Sequence, residues 1–392
     1  MYENIHKEIL TNSFDTLEKF KRKKVAIVAN STWNIYNFRS NVVKALLENE
    51  AELIIIAPID EYIPHLKELG NITIVPLKRL KRNGINPVND LKLFLEIYRI
   101  YKQYKPDVIL HYTIKPNMYG AIASGLLGIA NTCVVTGLGY TFIHKGWINT
   151  LVKSMYRFAF KFADRVLFEN LEDKALFETE HLIERHKSFH IKGCGVDLNY
   201  FKPRPEKPEE EDIRFTFIGR LLYDKGIVEF VSAAKIIKKK YPSVQFTVVG
   251  FLDDENPAHI LRSELLDWIS NGIIQYHSQT EDVRPYINSS SCVVLPSYRE
   301  GLPRVMMEAM AMAKPIITTK TAGCREMVNE GINGFLVDVK DIHALAEAMA
   351  NIIKCSSANR FKMGLYSRQM AEKEFDDKLI ANLIITGLAQ YV

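Results

Sequence analysis

Glu300 and Glu308 flank a Gly-Leu-Pro break in the stretch SYREGLPRVMMEAM, residues 297–310. Because proline is favoured as the first residue of a helix, the spacing predicts a helix that begins near Pro303, with Glu300 before it and Glu308 one to two turns inside. A helix N-terminus attracts anions, and a carboxylate accepts hydrogen bonds from neighbouring hydroxyls. The stretch therefore suits a sugar beside a phosphate, although an exposed acid before a helix and a solvated acid within it explain the pattern equally well when it is taken alone.

Two cations in the same half of the chain favour the first interpretation. Arg220 and Lys225 lie in IGRLLYDKG, residues 218–226, directly after an apolar strand pattern. Arginine offers a planar fork of donors and lysine a point charge, a suitable pair for a departing diphosphate. One exposed arginine would carry little weight, but two cations at a strand end, in the same predicted domain as an anion site, indicate nucleotide binding.

The composition is that of an ordinary globular protein. The chain has 392 residues, of which 47% are hydrophobic and 25% charged, and this suits two domains and excludes disordered and fibrous classes. Its five cysteines are scattered and never form C-x-x-C, so we expect neither a disulfide framework nor a zinc site. Without a signal-peptide pattern or a long apolar run, we expect a cytoplasmic protein with no spanning helix.

Apolar strand patterns alternate with helical patterns along the whole chain, which predicts parallel βαβ units. The proline-rich and acidic segment 194–214 separates two such series and is predicted to be the linker. We therefore expect an α/β protein of two consecutive doubly wound domains that face each other across a ligand cleft. After the first strand pattern, the helical pattern predicts a helix that begins near Asn37.

Several stretches resemble the family 4 retaining glycosyltransferases, which have the GT-B fold of two facing Rossmann-like domains. They are FIGRLLYDKG, LPSYREGLPRVMMEAMAMAKPIITTKTAGCREMV and NGFLVD. Glu300 and Glu308 match the E-x7-E motif of that family. The resemblance implies an N-terminal extension (1–22), an acceptor-side domain (23–196) that the final helix (376–392) joins, and a nucleotide-sugar domain (197–375).

The resemblance also implies roles for individual residues. The positions of Arg220 and Lys225 hold the donor diphosphate, that of Glu300 contacts the donor sugar, and that of Glu308 holds the ribose hydroxyls. Catalytic candidates are Glu300, Arg220 and Lys225, and Glu300 is expected to position the sugar rather than to act as a nucleophile. The donor-binding candidates are Gly219, Arg220, Lys225, His277, Ser278, Glu300, Gly301, Leu302, Pro303 and Glu308. Since the sequence contains no D-x-D, we expect no metal and no other cofactor.

Further stretches are similar to the subset of that family that extends polyprenyl-diphosphate-linked glycans in bacteria. They are GFLDDENPAHI, STWNIYNFR, TIKPNMYG and TGLGYTF. This similarity implies a UDP-sugar donor, an N-acetylhexosamine such as N-acetylgalactosamine, a polyprenyl-linked acceptor and no nucleic-acid partner. Acceptor-side candidates are Asn30, Ser31, Thr32, His111, Lys115, Asn117, Gly137 and Gly139. His111 is equally compatible with a site residue and with packing at a strand end.

Residues 145–165 predict an amphipathic helix with Lys153, Arg157 and Lys161 on one side. The apolar stripe on its other side consists of Trp147, Leu151, Met155, Phe158 and Phe162. We favour the interpretation in which the stripe covers the sheet and the cations face water. In the alternative, which is compatible with the first, the cations and KRLKR at 78–82 contact the anionic inner face of the membrane, to which the protein binds peripherally.

Three functions therefore compete. The leading hypothesis is a retaining glycosyltransferase that extends a membrane-anchored glycan. A UDP-sugar epimerase can share the two-domain architecture, but the context of the E-x7-E motif favours the transferase. A non-catalytic sugar-nucleotide-binding protein remains an alternative because a sequence does not show turnover.

Overall fold

A computed structural model describes residues 18–81, 86–138, 142, 146–204, 212–254 and 256–392. Gly139, Arg82, residues 205–211 of the expected linker and most of the expected N-terminal extension lie outside this described part. Contacts divide the chain into two compact units, and the divisions fall after Cys194 and after Asp376. The last segment of the chain therefore belongs to the first unit.

The first unit contains a seven-stranded sheet in the order β3-β2-β1-β4-β5-β6-β7. Its strands are β1 (Lys24–Val28), β2 (Glu52–Ala57), β3 (Ile72–Pro76), β4 (Val108–Tyr112), β5 (Ala130–Val135), β6 (Arg165–Phe168) and β7 (Ser188–His190). Its helices are α1 (Thr32–Glu48), α2 (Ile63–Glu68), α3 (Pro87–Tyr104), α4 (Ala121–Leu126), α5 (Trp147–Ala159), α6 (Leu171–Thr179) and, from the chain end, α13 (Asp377–Leu388). All neighbouring strands are parallel, and the order reverses between β1 and β4.

The second unit contains a six-stranded sheet in the order β10-β9-β8-β11-β12-β13, and its strands are likewise parallel. Its strands are β8 (Arg214–Ile218), β9 (Gln245–Val249), β10 (Gln275–His277), β11 (Cys292–Leu295), β12 (Ile316–Thr319) and β13 (Gly334–Val337). Its helices are α7 (Ile227–Lys240), α8 (Arg262–Ser270), α9 (Arg284–Asn288), α10 (Arg304–Ala311), α11 (Ile342–Lys354) and α12 (Ser357–Glu374). The predicted α/β class is confirmed in both units.

Both faces of the first sheet are covered, which explains why its strands are almost continuously apolar. Successive side chains of a strand point to opposite faces. Val25 and Ile27 of β1 accordingly pack in a core that includes residues of α1 and α13, whereas Ala26 and Val28 pack in a second core with residues of α3.

Helix α1 begins at Thr32, earlier than the start predicted near Asn37. Ser31 is its N-cap, because the Ser31 hydroxyl accepts a hydrogen bond from the backbone N–H of Asn34. Asp60, after β2, accepts hydrogen bonds from the Thr32 hydroxyl and the Trp33 backbone N–H. These polar caps stabilise a first turn that has little apolar periodicity, so the apolar pattern alone placed the start too late.

Helix α5 buries a different face from the one predicted. Val152, Tyr156 and Ala159 are buried in the core, whereas Trp147 and Phe158 of the predicted covering stripe are 73% and 53% exposed. The interpretation in which that stripe covers the sheet is therefore wrong for Trp147, Leu151 and Phe158, whereas Met155 does pack against the core. The helix carries apolar residues at helical spacing on two faces, and the face that contains Val152, Tyr156 and Ala159 packs in the core.

Candidate active site

The loop after β8 is joined to the loop after β9. The Gly219 backbone N–H donates to the Val249 carbonyl, and Arg220 Nη1 lies 2.8 Å from Asp253 Oδ2. Because β8 and β9 are adjacent and parallel, their carboxyl ends meet at one edge of the sheet. Arg220 is held by this ion pair and keeps 31% of its side chain exposed. The guanidinium is thus oriented and still accessible to an anion.

Lys225 ends a short 3-10 turn, and Gly226 then opens α7 in the left-handed conformation. A Cβ atom on Gly226 would lie 2.1 Å from the Pro296 carbonyl oxygen, so the loop after β8 approaches the loop after β11 as only glycine permits. This approach brings Lys225 Nζ to 2.5 Å from Glu300 Oε1. The structure therefore places these two predicted site residues in direct contact.

A third loop, which follows β12, packs against the loop that carries Glu300. Gly323, after β12, has φ 74°, and a Cβ atom there would lie 1.8 Å from the Gly301 carbonyl oxygen. Cys324 is buried beside the same loop, and burial together with the Glu300 charge raises its pKa to about 11. The position of the loop that carries Glu300 thus depends on close backbone contact.

Helix α10 begins at Arg304, with Pro303 as its N-cap rather than its first residue. Glu308 is buried in this helix, and its carboxylate pairs with Arg304 Nε at 2.8 Å. Burial raises the pKa of Glu308, and Arg304 opposes that rise. A carboxylate in this setting has few protein partners and is suited to accept hydrogen bonds from ligand hydroxyls.

Sequence inspection missed a clamp between the two loops. The Tyr298 hydroxyl donates to Glu229 Oε1 at 2.7 Å, and the Tyr298 backbone N–H donates to the Asp224 carbonyl at 2.9 Å. Tyr298 lies two residues before Glu300, and Glu229 lies in the first turn of α7, just after Lys225. The clamp therefore holds both partners of the Lys225–Glu300 ion pair, a function that nothing in the sequence pattern indicated.

His277 and Ser278 lie at the end of β10, the edge strand of this sheet, and both are exposed. The His277 carbonyl accepts a hydrogen bond from Gly250, which also approaches Gly219 closely, while the His277 ring lies 4.8 Å from that of Tyr286. The backbone of this loop is thus near the loops after β8 and β9.

Comparison with known proteins identifies both units. A family described as "Glycosyl transferases group 1" matches residues 201–370, and a family described as "Glycosyl transferase 4-like" matches residues 24–170. Each unit thus matches a glycosyltransferase family model, and the chain is a glycosyltransferase. The resemblance expected from the sequence is therefore confirmed.

Curated relatives match most of the glycosyltransferase. An N,N'-diacetylbacillosaminyl-diphospho-undecaprenol alpha-1,3-N-acetylgalactosaminyltransferase of Campylobacter jejuni is 28% identical, over 91% of this chain and 96% of its own. A capsular polysaccharide biosynthesis glycosyltransferase of Staphylococcus aureus is 27% identical, over 78% and 82%. A UDP-Gal:alpha-D-GlcNAc-diphosphoundecaprenol alpha-1,3-galactosyltransferase of Escherichia coli is 26% identical, over 69% and 72%.

Solved structures share the fold of the glycosyltransferase. A glycosyltransferase of Rickettsia africae has a TM-score of 0.76 at 20% identity and covers 94% of this chain and 99% of its own. The Anabaena protein HepE, solved with UDP and glucose, has a TM-score of 0.76 at 19% identity and the same coverage. The fold is therefore GT-B, with two Rossmann-like domains.

In the first unit, Asn30, Ser31 and Thr32 lie where β1 passes into α1. The Ser31 and Thr32 hydroxyls are used by the cap and by Asp60, whereas the Asn30 side-chain oxygen is buried with no hydrogen-bond partner among the described residues. Thr113, after β4, has φ 73° and also has a buried hydroxyl without a partner in that part of the chain. Such unpaired atoms and strained backbone at strand carboxyl ends are typical of ligand sites.

The other acceptor-side candidates have mostly structural contacts. His111 is fully buried, its Nε2 is hydrogen-bonded to the Tyr101 hydroxyl at 2.9 Å, and burial lowers its pKa to about 3. Lys115 pairs with Asp90 at 2.9 Å, and Asn117 is buried and donates to the Val134 carbonyl. Gly137 follows β5 with φ 109°. Of the two interpretations of His111, packing at the strand end fits this burial.

A buried ion pair that the sequence did not indicate joins α1 to the residue that follows β6. Arg39 Nη1 lies 3.0 Å from Glu169 Oε1, and both side chains are almost inaccessible. The Arg39 guanidinium also stacks over the Tyr112 ring at 4.4 Å. A pair this deep contributes to the precise placement of the strand ends, since breaking it would leave an unpaired buried charge.

Proposed function

We propose that this glycosyltransferase transfers an N-acetylhexosamine, with N-acetylgalactosamine as the best candidate, from a UDP-sugar to a polyprenyl-diphosphate-linked glycan with retention of configuration. The observation that carries the proposal is the Lys225–Glu300 ion pair, together with the Arg220–Asp253 ion pair that orients the Arg220 guanidinium. It combines cations for a diphosphate with a carboxylate for sugar hydroxyls on adjoining loops of one sheet.

Arg220 and Lys225 neutralise the negative charge that grows on the diphosphate as the bond between it and the sugar breaks. Glu300 accepts hydrogen bonds from the sugar hydroxyls, and the buried Glu308 accepts them from the ribose. Lys225 is the exchangeable partner in this arrangement, since its ammonium group can move from Glu300 to the phosphate oxygens without changing the fold.

The reaction proceeds on one face of the sugar. The bond from the anomeric carbon to the diphosphate oxygen breaks, the acceptor oxygen forms the new bond on the same side, and the acceptor proton passes to the departing phosphate oxygen of UDP. No protein nucleophile takes part, so Glu300 positions the sugar. Since two side-chain cations supply the charge, the reaction needs no metal ion.

The donor and acceptor classes are supported by the names of relatives. The similar Campylobacter jejuni protein is named for transfer of N-acetylgalactosamine to an undecaprenol-linked sugar, and the Escherichia coli one for a UDP-galactose donor and an undecaprenol-linked acceptor. Such an acceptor implies peripheral binding to the inner face of the cytoplasmic membrane. Within the described residues, no helix is long and apolar enough to span a bilayer.

The test is an assay of the full chain with a panel of UDP-sugars and a polyprenyl-diphosphate-linked monosaccharide, with EDTA present. We expect UDP release together with a glycolipid heavier by one N-acetylhexosamine, and NMR of the product should show the donor's anomeric configuration. Interconversion of UDP-sugars without acceptor would indicate an epimerase. Donor binding without turnover on any acceptor would support the non-catalytic alternative, and loss of turnover in EDTA would contradict the metal-free mechanism.

A further inference from the structure

Exposed apolar side chains in the first unit are concentrated on three helices. Of the eleven large apolar side chains exposed in its described part, only Trp33, Ile59 and Leu171 lie elsewhere. The other eight form what we call the apolar face: Val88, Leu91 and Leu95 of α3, Leu126 of α4, and Trp147, Ile148, Leu151 and Phe158 of α5. Single exposed apolar residues are ordinary, but a group of this size is typical of an interaction surface.

The three helices form one layer. Helix α3 contacts α4, and the helical turn that leads into α4, Pro116–Gly120, contacts both α3 and α5. Right-handed crossovers from β3 to β4, β4 to β5 and β5 to β6 place all three helices on the same side of the sheet. Their outward residues therefore belong to one continuous side of the unit.

The exposed residues are opposite the buried ones on each helix. On α3, Val88, Leu91 and Leu95 fall within about 60° of one another around the axis. On α5, Trp147, Leu151 and Phe158 recur at helical spacing, opposite Val152 and Tyr156 in the core. The apolar face is thus a pair of parallel-running stripes with Leu126 on the helix between them, rather than scattered positions.

Basic residues accompany the apolar face. Lys92 lies within the exposed stripe of α3, Arg99 and Lys102 continue the stripe toward the C-terminus, and all three are exposed. The segment 78–81 lies beside the same helix, because the Glu96 carboxylate accepts hydrogen bonds from the backbone N–H groups of Lys78 and Arg79. The Lys78, Arg79 and Lys81 side chains are exposed there.

Acidic residues are few in these elements. Segment 78–81 and the three helices contain eight Lys and Arg but two acids, Asp90 and Glu96. Asp90 is paired with Lys115, and Glu96 accepts the two backbone hydrogen bonds described above. These elements are therefore positively charged, with little exposed negative charge of their own to offset it.

We infer that the apolar face inserts into the headgroup region of a bilayer that contains anionic phospholipids. Apolar and aromatic side chains fringed by lysine and arginine are the composition of interfacial membrane-binding surfaces. A second copy of this chain fits less well, because a twofold interface would bring the two basic fringes together. The inference rests on the proposed function in that a lipid-linked acceptor requires this location.

The contacts of α5 also assign different roles to its cations. Lys153 pairs with Glu180 at 2.7 Å, and Arg157 donates to the carbonyls of Glu180 and His181, so both are turned toward the end of α6. Lys161 lies beyond the end of α5 and is exposed. The lipid contact therefore comes from Trp147, Leu151 and Phe158 and from the α3 cations, rather than mainly from Lys153 and Arg157.

Flotation of the full chain with vesicles measures this binding directly. We expect binding to vesicles of phosphatidylcholine with phosphatidylglycerol and much weaker binding to phosphatidylcholine alone. Leu91→Ser/Leu95→Ser/Phe158→Ser should weaken binding by at least about tenfold, since buried apolar area is lost. The control Leu261→Ser/Leu266→Ser/Ile269→Ser removes similarly exposed apolar side chains from the second unit and should bind as the wild type does.

A second matched pair of variants tests the contribution of positive charge to vesicle binding. Lys92→Gln/Arg99→Gln/Lys102→Gln should reduce binding to the anionic vesicles by about a hundredfold, given about 1 kcal/mol for each cation at the surface. Lys235→Gln/Lys239→Gln/Lys240→Gln removes the same charge from α7 and should have little effect. Equal losses in both triple variants would mean that net charge alone acts, and would overturn the inference.

Trp147 reports insertion by its own fluorescence. Its emission should shift to shorter wavelength with anionic vesicles and be quenched by lipids brominated near the headgroup, and Trp147→Phe should remove both signals. A shift with no quenching would contradict insertion into the headgroup region, and a concentration-dependent dimer whose signal is independent of vesicles would show that another copy of the chain covers the face.

The outcomes separate this inference from the proposed function. Vesicle binding through the apolar face, without sugar transfer to a polyprenyl acceptor, would support the membrane inference and contradict the proposed function. Sugar transfer to a short-chain soluble acceptor, with no binding of the wild type to any vesicle, would support the proposed function and contradict the membrane inference. UDP binding should be the same in all the face variants.

Discussion

Lys225 Nζ and Glu300 Oε1 form an ion pair of 2.5 Å that joins two loops 75 residues apart in the chain. Both residues follow strands of the same parallel sheet, β8 and β11, which are direct neighbours. The pair keeps Lys225 in place and satisfies the partly buried Glu300 carboxylate. Under the proposed function, a diphosphate would offer the lysine a stronger partner, and Glu300 would then be free to accept hydrogen bonds from sugar hydroxyls.

Lys225→Ala should lower kcat/KM by about 10²–10³, the usual cost of removing one preorganised group that stabilises transition-state charge. Steady-state kinetics with the UDP-sugar measure kcat/KM, and thermal unfolding measures the stability of the variant. Because Glu300 would lose its partner, Lys225→Ala/Glu300→Gln serves as the variant with no unpaired charge, and Lys235→Ala on α7 as the control. Unfolding of Lys225→Ala under assay conditions would contradict a mainly catalytic role.

Tyr298→Phe should raise KM for the donor several-fold and lower kcat less. The variant removes a hydrogen bond to the Glu229 carboxylate, a bond type worth about 1.5–3 kcal/mol, and so loosens both loops that carry the ion pair. Kinetics at varied donor concentration give the two constants. Glu229→Gln keeps an acceptor for the tyrosine and should stay near wild type, and Tyr366→Phe, on the exposed side of α12, is the control for loss of a hydroxyl. Equal kinetics in Tyr298→Phe and Tyr366→Phe would refute the clamp.

Gly323→Ala should impair donor binding much more than Gly331→Ala. Both glycines have left-handed backbone, with φ 74° and φ 72°, so alanine costs similar strain at both. Only at Gly323 does the added Cβ meet another atom, the Gly301 carbonyl oxygen, and the loop that carries Glu300 must move. Calorimetric titration with UDP measures the effect. Equal loss of UDP affinity in both variants would show that backbone strain, rather than loop contact, is responsible.

His111→Gln should make the first unit less sensitive to acid. The folded-state pKa of His111 is lowered to about 3 by burial, from an ordinary value near 6.5. Below about pH 6.5 the unfolded chain therefore binds a proton that the folded chain does not, and the free energy of unfolding falls by up to about 1.4 kcal/mol per pH unit as the pH drops toward 3.

Denaturant unfolding from pH 7 to pH 4 tests this dependence. The wild type should lose stability more steeply than His111→Gln, whatever their difference at pH 7. His343→Gln changes an exposed histidine of α11 and should keep the wild-type slope. Tyr101→Phe keeps the imidazole but removes its hydrogen-bond partner and should stay acid-sensitive. Parallel curves for the wild type and His111→Gln would contradict the assignment.

The sequence by itself determined the α/β class, the number of Rossmann-like domains and the stretch that contains Glu300 and Glu308. These features depend on short-range patterns, namely apolar runs for buried parallel strands and the position of proline and glycine at a helix start. Element boundaries were accurate where apolar periodicity and packing agree. They failed at α1, where a serine cap and Asp60, rather than periodicity, set the first turn.

Only the tertiary structure decided which partners the site residues take and which faces are covered. Lys225 meets Glu300, and Tyr298 meets Glu229, because β8 and β11 are neighbours in a sheet whose order no local pattern records. Likewise, α5 has two apolar faces at helical spacing, and the sheet can cover only one of them. His111 belongs to the core because α3 and the turn before α4 close over it. Each of these outcomes depends on contacts between distant segments, which form only when the whole sheet is assembled.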